Sequence, residues 1–421
     1  MIRKLKRYLE QCDMQSVELM VLSLAASAFN YVFQLMLGRL LTVAQYGEYN
    51  AVNSLISNML NFFTPLTITA CRITAEKMGM RKANTTRYMQ IIKAMCIVSA
   101  MVLVGGGVVY PTLNGAYCSN SIWSWSLVLG TVIMSAVYSL ILAIIQGCKM
   151  FRVYGWVGLI LIWLKIALSY ISIQCGFGVV GCVFALLMSN FLLATFSLVI
   201  LNKNKVIEDS GEIIEQYRGI ELVKGYGSTF IVGMIYSLYI NGGEIMLLNH
   251  SFESEEVGLY SAIAALGKIS FFVVSIVFVI ILPNVAAMKD DYLRLKKTIR
   301  KALIISGLLA VGYAIVYQVL GQWLISILYG EIYAKASYLI IYVNIYVILI
   351  SIMGILHNVL IGLDQLKAYM VCLALIILAT ILVAINFATS IQSILIIVSV
   401  SSTIIIVSQM YIIRMFMRKE E

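Results

Sequence analysis

The sequence predicts an all-α integral membrane protein with twelve transmembrane helices in two six-helix bundles. Its composition, its long apolar segments and the placement of its charges indicate this class. Of the 421 residues, 61% are hydrophobic and 12% are charged, whereas soluble globular proteins are about half apolar and about a quarter charged. The composition excludes a disordered chain, a nucleic-acid-binding domain and an ordinary cytosolic enzyme.

Twelve apolar segments have about the length of 20 residues that a membrane helix needs. Their length and their lack of charge favour helices over barrel strands, which would alternate over about 10 residues. The predicted spans are 17–38, 49–71, 90–110, 122–146, 155–174, 178–201, 226–249, 257–287, 301–323, 337–361, 368–388 and 391–413.

The charges predict that both termini are cytoplasmic. With the N-terminus inside, 26 of the 30 lysines and arginines lie in cytoplasmic segments, Arg39 and Lys335 lie outside, and Lys165 and Lys268 lie within spans. This asymmetry follows the positive-inside rule. The net charge of +10 is therefore interpreted as a topology signal, and no nucleic-acid partner is predicted.

The two halves of the chain predict an internal repeat. Six spans per half place both halves in the same orientation, so the repeat is a parallel pseudo-two-fold one, as transporters use. Landmarks recur at offsets of 211, 215 and 218 residues, in the pairs Gly47 and Gly258, Gly147 and Gly362, and Pro65 and Pro283. The predicted organisation is an N-terminal segment 1–16 (an amphipathic interfacial helix or a frayed tail), a bundle 17–206, a cytoplasmic linker 207–225 and a bundle 226–421.

Polar residues within the spans predict which helix faces line a cleft between the bundles. Side chains spaced three or four residues apart share one helical face. For serine and threonine, helix packing is the simpler interpretation of such a stripe. The stripe of span 1 includes Asn30 and Gln34, and that of span 2 includes Asn50 and Asn61.

Three charged residues lie deep inside spans, well away from the span ends, namely Lys165, Lys268 and Glu244. A charge at mid-bilayer costs about 2.5–3.5 kcal/mol on insertion scales. Such residues therefore face a water-filled cavity or form a structural lysine–glutamate pair. Gly242 and Gly243 precede Glu244, and adjacent glycines weaken a helix. They predict either a helix break beside an ion or proton site, or close helix packing.

Two further sequence features concern the outer surface and the absence of catalytic motifs. Arg39, at the outer end of span 1, is interpreted as an outer-gate or substrate contact, or as a surface cation. The sequence contains no G-x-x-x-x-G-K-[ST], G-x-S-x-G or H-E-x-x-H motif. We therefore predict no catalytic residue, no cofactor and no metal, and the protein is not interpreted as an enzyme.

Short motifs along the chain resemble those of a known family. They are Asn30-Tyr31, Leu37-Gly38-Arg39-Leu40-Leu41, Tyr46-Gly47-Glu48-Tyr49, Arg72-Ile73-Thr74-Ala75-Glu76, and Glu244 followed by Gly258-Leu259-Tyr260. The chain is similar to bacterial polysaccharide flippases of the multidrug/oligosaccharidyl-lipid/polysaccharide exporter superfamily. The resemblance implies a multi-pass plasma-membrane protein in which spans 1, 2, 7 and 8 line a cationic cavity.

The resemblance also implies a function, namely moving undecaprenyl-diphosphate-linked oligosaccharide to the outer leaflet by alternating access of the two bundles. Lys165, Lys268 and Arg39 suit the diphosphate, and Asn30, Gln34, Asn50 and Asn61 suit sugar hydroxyls. Glu244 is the candidate for coupling a proton or a sodium ion. Membrane lipid and polysaccharide polymerase or assembly proteins are the further partners considered.

Two alternatives stay open at this point. An ion-coupled drug or metabolite exporter of the same fold predicts an acidic cavity, which two intramembrane lysines against one glutamate disfavour. A non-catalytic scaffold of a polysaccharide assembly complex predicts no need for the buried lysines. The sequence does not specify the glycan.

Overall fold

The computed structural model describes residues 14–64, 66–71, 74, 85–113, 122–203, 232–287, 292–363 and 365–419, and the regular structure within these ranges is entirely helical. The predicted linker 207–225, residues 1–13 of the predicted N-terminal segment and the landmark Pro65 lie outside the described residues.

The helices follow the predicted spans closely. Their bounds are α1 Met14–Leu40, α2 Val43–Leu60, α3 Thr85–Leu113, α4 Ile122–Gly147, α5 Phe151–Gln174, α6 Gly178–Lys203, α7 232–240, α8 Gly243–Ser251, α9 Ser254–Gly267, α10 Ile269–Ala287, α11 Tyr292–Leu328, α12 Glu331–Ala334, α13 Ile340–Gly362, α14 Leu366–Phe387 and α15 Ile391–Lys419. Short 3₁₀ turns at Asn61–Phe63 and Ser337–Leu339 follow α2 and precede α13.

Within the described ranges, eight helices are long and apolar enough to cross a membrane. They coincide with predicted spans 4, 5, 6 and 8 to 12. Helical residues also cover the described parts of spans 1, 2, 3 and 7. The all-helical membrane class is thus confirmed, while the count of twelve spans, the pseudo-two-fold relation and the cytoplasmic termini remain predictions.

The chain divides into two compact units, and the first consists of the described residues within 1–41 and 55–219. Its centre is the packing of α4 on α6 and of α5 on both α1 and α6. An apolar cluster at this centre contains Tyr138, Ile141, Ile145, Val157, Leu193, Ala194 and Leu201. Burial of such side chains stabilises the unit because it removes apolar surface from polar surroundings.

The second unit consists of the described residues within 42–54 and 220–421. Helix α13 is at its centre, packed on α10, α11 and α15, and most of its side chains are buried. Tyr46 at the start of α2 lies against Tyr329 and Tyr333, with ring centroids 5.9 and 6.0 Å apart. Segment 42–54, which the sequence assigned to the first bundle, therefore packs with residues of the second unit.

The two landmark glycines of the predicted repeat, Gly47 and Gly258, contact each other in this second unit. A Cβ atom on Gly47 would overlap the carbonyl oxygen of Ser254 and the backbone nitrogen of Gly258, and one on Gly258 would overlap the carbonyl oxygen of Val43. The N-terminal turns of α2 and α9 thus cross at a backbone-to-backbone distance that only glycine allows.

The helix break predicted in span 7 is confirmed. Helix α7 ends at residue 240, α8 begins at Gly243, and Gly242 has a φ of +98°, a left-handed conformation that glycine adopts without steric cost. The side chain of Ser54 occupies the space where a Cβ atom of Gly242 would lie. Ser54 lies one turn after Asn50 of the span 2 stripe, and it therefore packs directly on the break.

Candidate functional site

In the first unit, the structure brings two of the predicted site residues together. The Lys165 Nζ atom of α5 donates a hydrogen bond to Asn30 Oδ1 of α1 at 2.8 Å. The same Nζ atom lies 4.1 Å from the ring centroid of Phe33, within the range of a cation–π interaction. Lys165 is half-buried and Phe33 is fully buried.

The register between α1 and α5 explains this contact. The helices run side by side in the same direction. Arg152 donates to Glu18 at 2.9 Å near their N-terminal ends, and Leu22 packs where a side chain on Gly155 would otherwise lie. About two to three turns further on, Asn30 reaches Lys165. Asn30 and Phe33 are three residues apart and so share the face of α1 turned toward the lysine.

The partners of Lys165 in the described part of the chain are an amide oxygen and an aromatic ring. Neither is a carboxylate, so neither neutralises the ammonium charge. An ammonium group with neutral partners can accept an anion as an additional partner, and a charge-assisted hydrogen bond is stronger than a neutral one. The Lys165 site is therefore suited to a negatively charged group.

In the second unit, the structure pairs the other two predicted charges. Lys268 Nζ contacts Glu244 Oε1 in a hydrogen-bonded ion pair. Tyr346 of α13 donates from its hydroxyl to the other carboxylate oxygen, Oε2, at 3.3 Å. The Glu244 side chain is 0% exposed, whereas the Lys268 side chain is 20% exposed.

Both charges of this pair lie at interruptions of helical structure. Glu244 is in the first turn of α8, immediately after the break at Gly242, where the positive end of the helix dipole favours a carboxylate. Lys268 is the residue between α9 and α10, and its N–H group still bonds the carbonyl of Ala264 at 2.9 Å. The break that the glycines predicted therefore positions the carboxylate.

Further tyrosines lie in the neighbourhood of the carboxylate that Tyr346 contacts. Tyr260 of α9 lies close enough to Glu244 to interact with it electrostatically. Tyr239 at the end of α7 approaches Ser401 Oγ and Ser402 Oγ of α15 at 2.6 and 2.8 Å. These tyrosines were not predicted from the sequence, because an aromatic residue in an apolar span does not stand out as part of a polar stripe.

Within the described ranges, the side-chain contacts of Lys165, Lys268 and Glu244 do not include the remaining predicted site residues. Asn50 is buried and donates its side-chain amide to the carbonyl of Tyr46, one turn earlier in its own helix, at 2.8 Å. The Asn61 Nδ2 atom is buried without a hydrogen-bond partner within the described part of the chain. Gln34 is half-buried on α1, and Arg39 is exposed in its last turn.

A metal site receives no support from the described residues. Among them, no group of three histidine, cysteine, aspartate or glutamate side chains could hold a metal ion. The two clusters thus offer ammonium, carboxylate, amide and hydroxyl groups, which can bind anions and protons.

Comparison with known proteins identifies the family. A sequence profile described as "Polysaccharide biosynthesis protein" matches residues 36–338, which is more than half of the chain. The chain belongs to this family. The match confirms the resemblance that the short motifs carried. No curated protein matches the sequence.

Solved structures show the fold. An inward-facing multidrug resistance MATE family transporter of the MOP superfamily has a TM-score of 0.70 at 12% identity, covering 94% of this chain and 95% of its own. The outward-facing conformation of such a transporter has a TM-score of 0.66 at 12% identity, with 98% of both chains covered. The lipid II flippase MurJ, in an inward closed conformation, has a TM-score of 0.68 at 12% identity, covering 94% of this chain and 87% of its own.

These comparisons establish a multi-pass membrane protein of the polysaccharide biosynthesis family. Its fold is the one shared by multidrug transporters and a lipid flippase. At 12% identity these structures show the fold alone. The identity of the transported molecule depends on this chain's own residues.

Proposed function

We propose that the protein translocates undecaprenyl-diphosphate-linked oligosaccharide from the inner to the outer leaflet of the bacterial plasma membrane. It does so by alternating access and catalyses no reaction. The family supports a role in polysaccharide biosynthesis, and the fold, similar to that of MurJ, supports the movement of a lipid-linked molecule. The lipid tail stays in the bilayer while the headgroup and the sugars pass through the protein.

The observation that carries this proposal is the Lys165 site. A lysine inside a membrane span is costly, and a carboxylate partner within the protein would offset part of that cost. Lys165 instead contacts Asn30 and Phe33. A diphosphate supplies the missing negative charge, and the Asn30 amide at its side can also contact the first sugar.

The other predicted site residues contact either the diphosphate or the sugars in the proposed transport cycle. Lys268 is the second contact for the diphosphate, and Arg39 is a contact near the outer end of α1. Gln34, Asn61 and Asn50 serve as hydrogen-bond partners for sugar hydroxyls. The membrane potential, negative inside, favours export of an anion by about 2.3 kcal/mol per charge per 100 mV.

The experiment that tests this function compares cells with and without the protein. Lipid extracts of cells lacking it should accumulate a polyprenyl-diphosphate oligosaccharide, detected by mass spectrometry. The wild-type gene and Lys165→Arg should clear the intermediate, whereas Lys165→Gln, at equal expression, should not. Clearance by Lys165→Gln would contradict the role of the charge, and an absence of accumulation with unchanged surface glycan would contradict the function.

A second candidate function is an ion-coupled exporter of drugs or metabolites. The similarity to multidrug transporters and the buried Glu244 favour it, whereas neutralisation of that carboxylate by Lys268 disfavours it. Drug-resistance measurements on the same two cell lines distinguish the candidates. Lower resistance in cells lacking the protein, without accumulation of lipid-linked sugar, would support the exporter.

A further inference from the structure

Helix α11 is longer than a membrane crossing requires. It runs from Tyr292 to Leu328 and contains 37 residues, which corresponds to a length of about 55 Å. The hydrocarbon core of a bilayer is only about 30 Å thick. Residues 292–300 precede the predicted span 301–323, so we expect them to lie in the headgroup region on the cytoplasmic side.

One face of this N-terminal part of α11 is fixed by packing. Leu295, Ile299 and Ala302 are spaced three or four residues apart and therefore share a helical face. All three are buried, because α11 packs on α10 and on α13. The rotation of the helix is thus set, and its opposite face is directed away from the core of the second unit.

That opposite face changes from cationic to apolar along the helix. Lys297, Arg300 and Lys301 are exposed and lie three or four residues apart, on one face. The same face continues in exposed apolar side chains, which are in contact with lipid chains when the helix crosses a membrane. These side chains are 44–74% exposed and belong to Ile304, Leu308, Val311, Ile315 and Val319.

Trp323 indicates the depth of the cations in the membrane. Its side chain is 61% exposed, and exposed tryptophans of membrane helices concentrate at the two interfaces. Lys301 precedes Trp323 by about 33 Å of helix, close to the thickness of the hydrocarbon core. With Trp323 at one interface, Lys301 therefore lies at the other, where long cationic side chains extend toward the lipid phosphates.

The three cations are not neutralised by the part of the chain that the structure describes. Among its residues, Lys297, Arg300 and Lys301 form no salt bridge and no side-chain hydrogen bond. Asp290 and Asp291 precede the helix in the sequence and lie outside the described residues. Segment 289–301 contains six lysines and arginines against these two aspartates, so positive charge remains in excess.

We propose that Lys297, Arg300 and Lys301 bind the phosphate headgroup of an anionic phospholipid in the inner leaflet. The acyl chains of this lipid lie along the exposed apolar side chains of the same helix face. The positive-inside rule accounts for cations in cytoplasmic segments, but it does not require them on the face that meets lipid. Basic side chains at this level attract anionic lipids.

A resident phospholipid is the occupant that fits this surface. The face is open to the bilayer, where phospholipids are the abundant phosphate-bearing molecules. The site is also separate from the proposed transport function, because none of the three cations was assigned to the diphosphate or to the sugars. Its occupancy can therefore be measured without any transport assay.

The test is native mass spectrometry of the purified full-length protein with equal amounts of phosphatidylglycerol and phosphatidylcholine. Wild type should retain phosphatidylglycerol in preference. The preference should fall about fivefold for each cation removed by Lys297→Gln, Arg300→Gln and Lys301→Gln. It should also weaken as the salt concentration rises toward about 1 M, where charges are screened within about 3 Å.

The matched control removes the same net charge from other places. Lys149, Lys203 and Lys367 are exposed, and they lie before α5, at the end of α6 and at the start of α14. The triple variant Lys149→Gln, Lys203→Gln and Lys367→Gln should keep the wild-type preference. If the α11 triple variant does not fold, the three single variants carry the test.

Three results would overturn the assignment. One is retention of both lipids in equal amounts by wild type. Another is an equal loss of preference in the α11 triple variant and in the control, because the cations would then act only through net charge. The third is stronger retention of a polyprenyl diphosphate than of phosphatidylglycerol, lost in the α11 triple variant, which would make the surface an entry site for the transported lipid.

Discussion

The two intramembrane lysines differ in what neutralises them. Lys165 in the first unit contacts an amide oxygen and an aromatic ring, whereas Lys268 in the second unit is paired with a buried carboxylate. The sequence presents both as a single charge on a polar helix face. Among the residues that the structure describes, Lys165 contacts no carboxylate, whereas Lys268 is half of an ion pair.

Lysine therefore occurs within the spans of this protein in two different environments. A lysine with neutral partners can accept an anion as an additional partner. A lysine with a carboxylate partner is already neutralised, so an anion in the proposed cycle would have to compete with that carboxylate. The free energy of unfolding should differ most strongly between variants of the two lysines. Removal of Lys268 leaves the buried Glu244 carboxylate unpaired, whereas removal of Lys165 leaves no buried charge among the described residues.

The largest effect is expected from removing each lysine in turn. Lys268→Ala leaves the Glu244 carboxylate buried without its partner, and breaking a buried pair in this way costs about 3–5 kcal/mol. Lys165→Ala leaves only the exposed amide of Asn30 and should cost about 1 kcal/mol. Thermal unfolding in detergent checks both values.

The control for that comparison is the double variant Glu244→Gln with Lys268→Gln. It should recover most of the stability that Lys268→Ala loses, since it leaves neither charge alone. Equal destabilisation by Lys268→Ala and Lys165→Ala would show that the ion pair contributes nothing particular to the second unit.

The sequence was sufficient to locate the lysines but not to identify their partners. Hydropathy and charge asymmetry located the helices, and the polar stripes put Asn30 on the right face of span 1. The glycines at 242 and 243 predicted the break before Glu244. Each of these signals is local, because it depends on spacing along one helix.

Contacts between helices that are distant in the sequence could not be predicted from signals of this local kind. Tyr346 contacts Glu244 from a helix whose tyrosines look like ordinary core residues. The side-chain amide of Asn50 donates to the carbonyl of Tyr46 in its own helix, and its predicted contact with a sugar stays a prediction. The repeat identified Gly47 and Gly258 as equivalent, but nothing in the spacing showed that equivalent residues contact each other.

The glycine contact provides the next comparison. Gly258→Ala places a Cβ atom onto the backbone carbonyl of Val43, and overpacking of this kind typically costs about 1–3 kcal/mol. Gly158→Ala in α5 has nothing within 4 Å of the new atom and should be stabilising by up to about 1 kcal/mol, since alanine is the better helix former. If Gly258→Ala and Gly158→Ala shift the unfolding temperature in the same direction, the close crossing of α2 and α9 would be contradicted.

The smallest effect is expected from the aromatic partner of Lys165. Phe33→Leu keeps an apolar side chain on α1 but removes the ring face, and a cation–π contact is worth about 0.5–2 kcal/mol. At the lower end of that range, export at limiting expression should fall about two- to fivefold. The matched control is Phe29→Leu, one turn earlier, where the ring packs against Trp163 with centroids 4.7 Å apart.

The two phenylalanine variants separate charge positioning from packing. Both remove an aromatic ring from α1, but only Phe33 contacts the ammonium group. If Phe29→Leu lowers export as much as Phe33→Leu does, the rings act through helix packing alone. A selective loss in Phe33→Leu would indicate that the first unit holds its lysine in place with an aromatic ring, where the second unit uses a carboxylate.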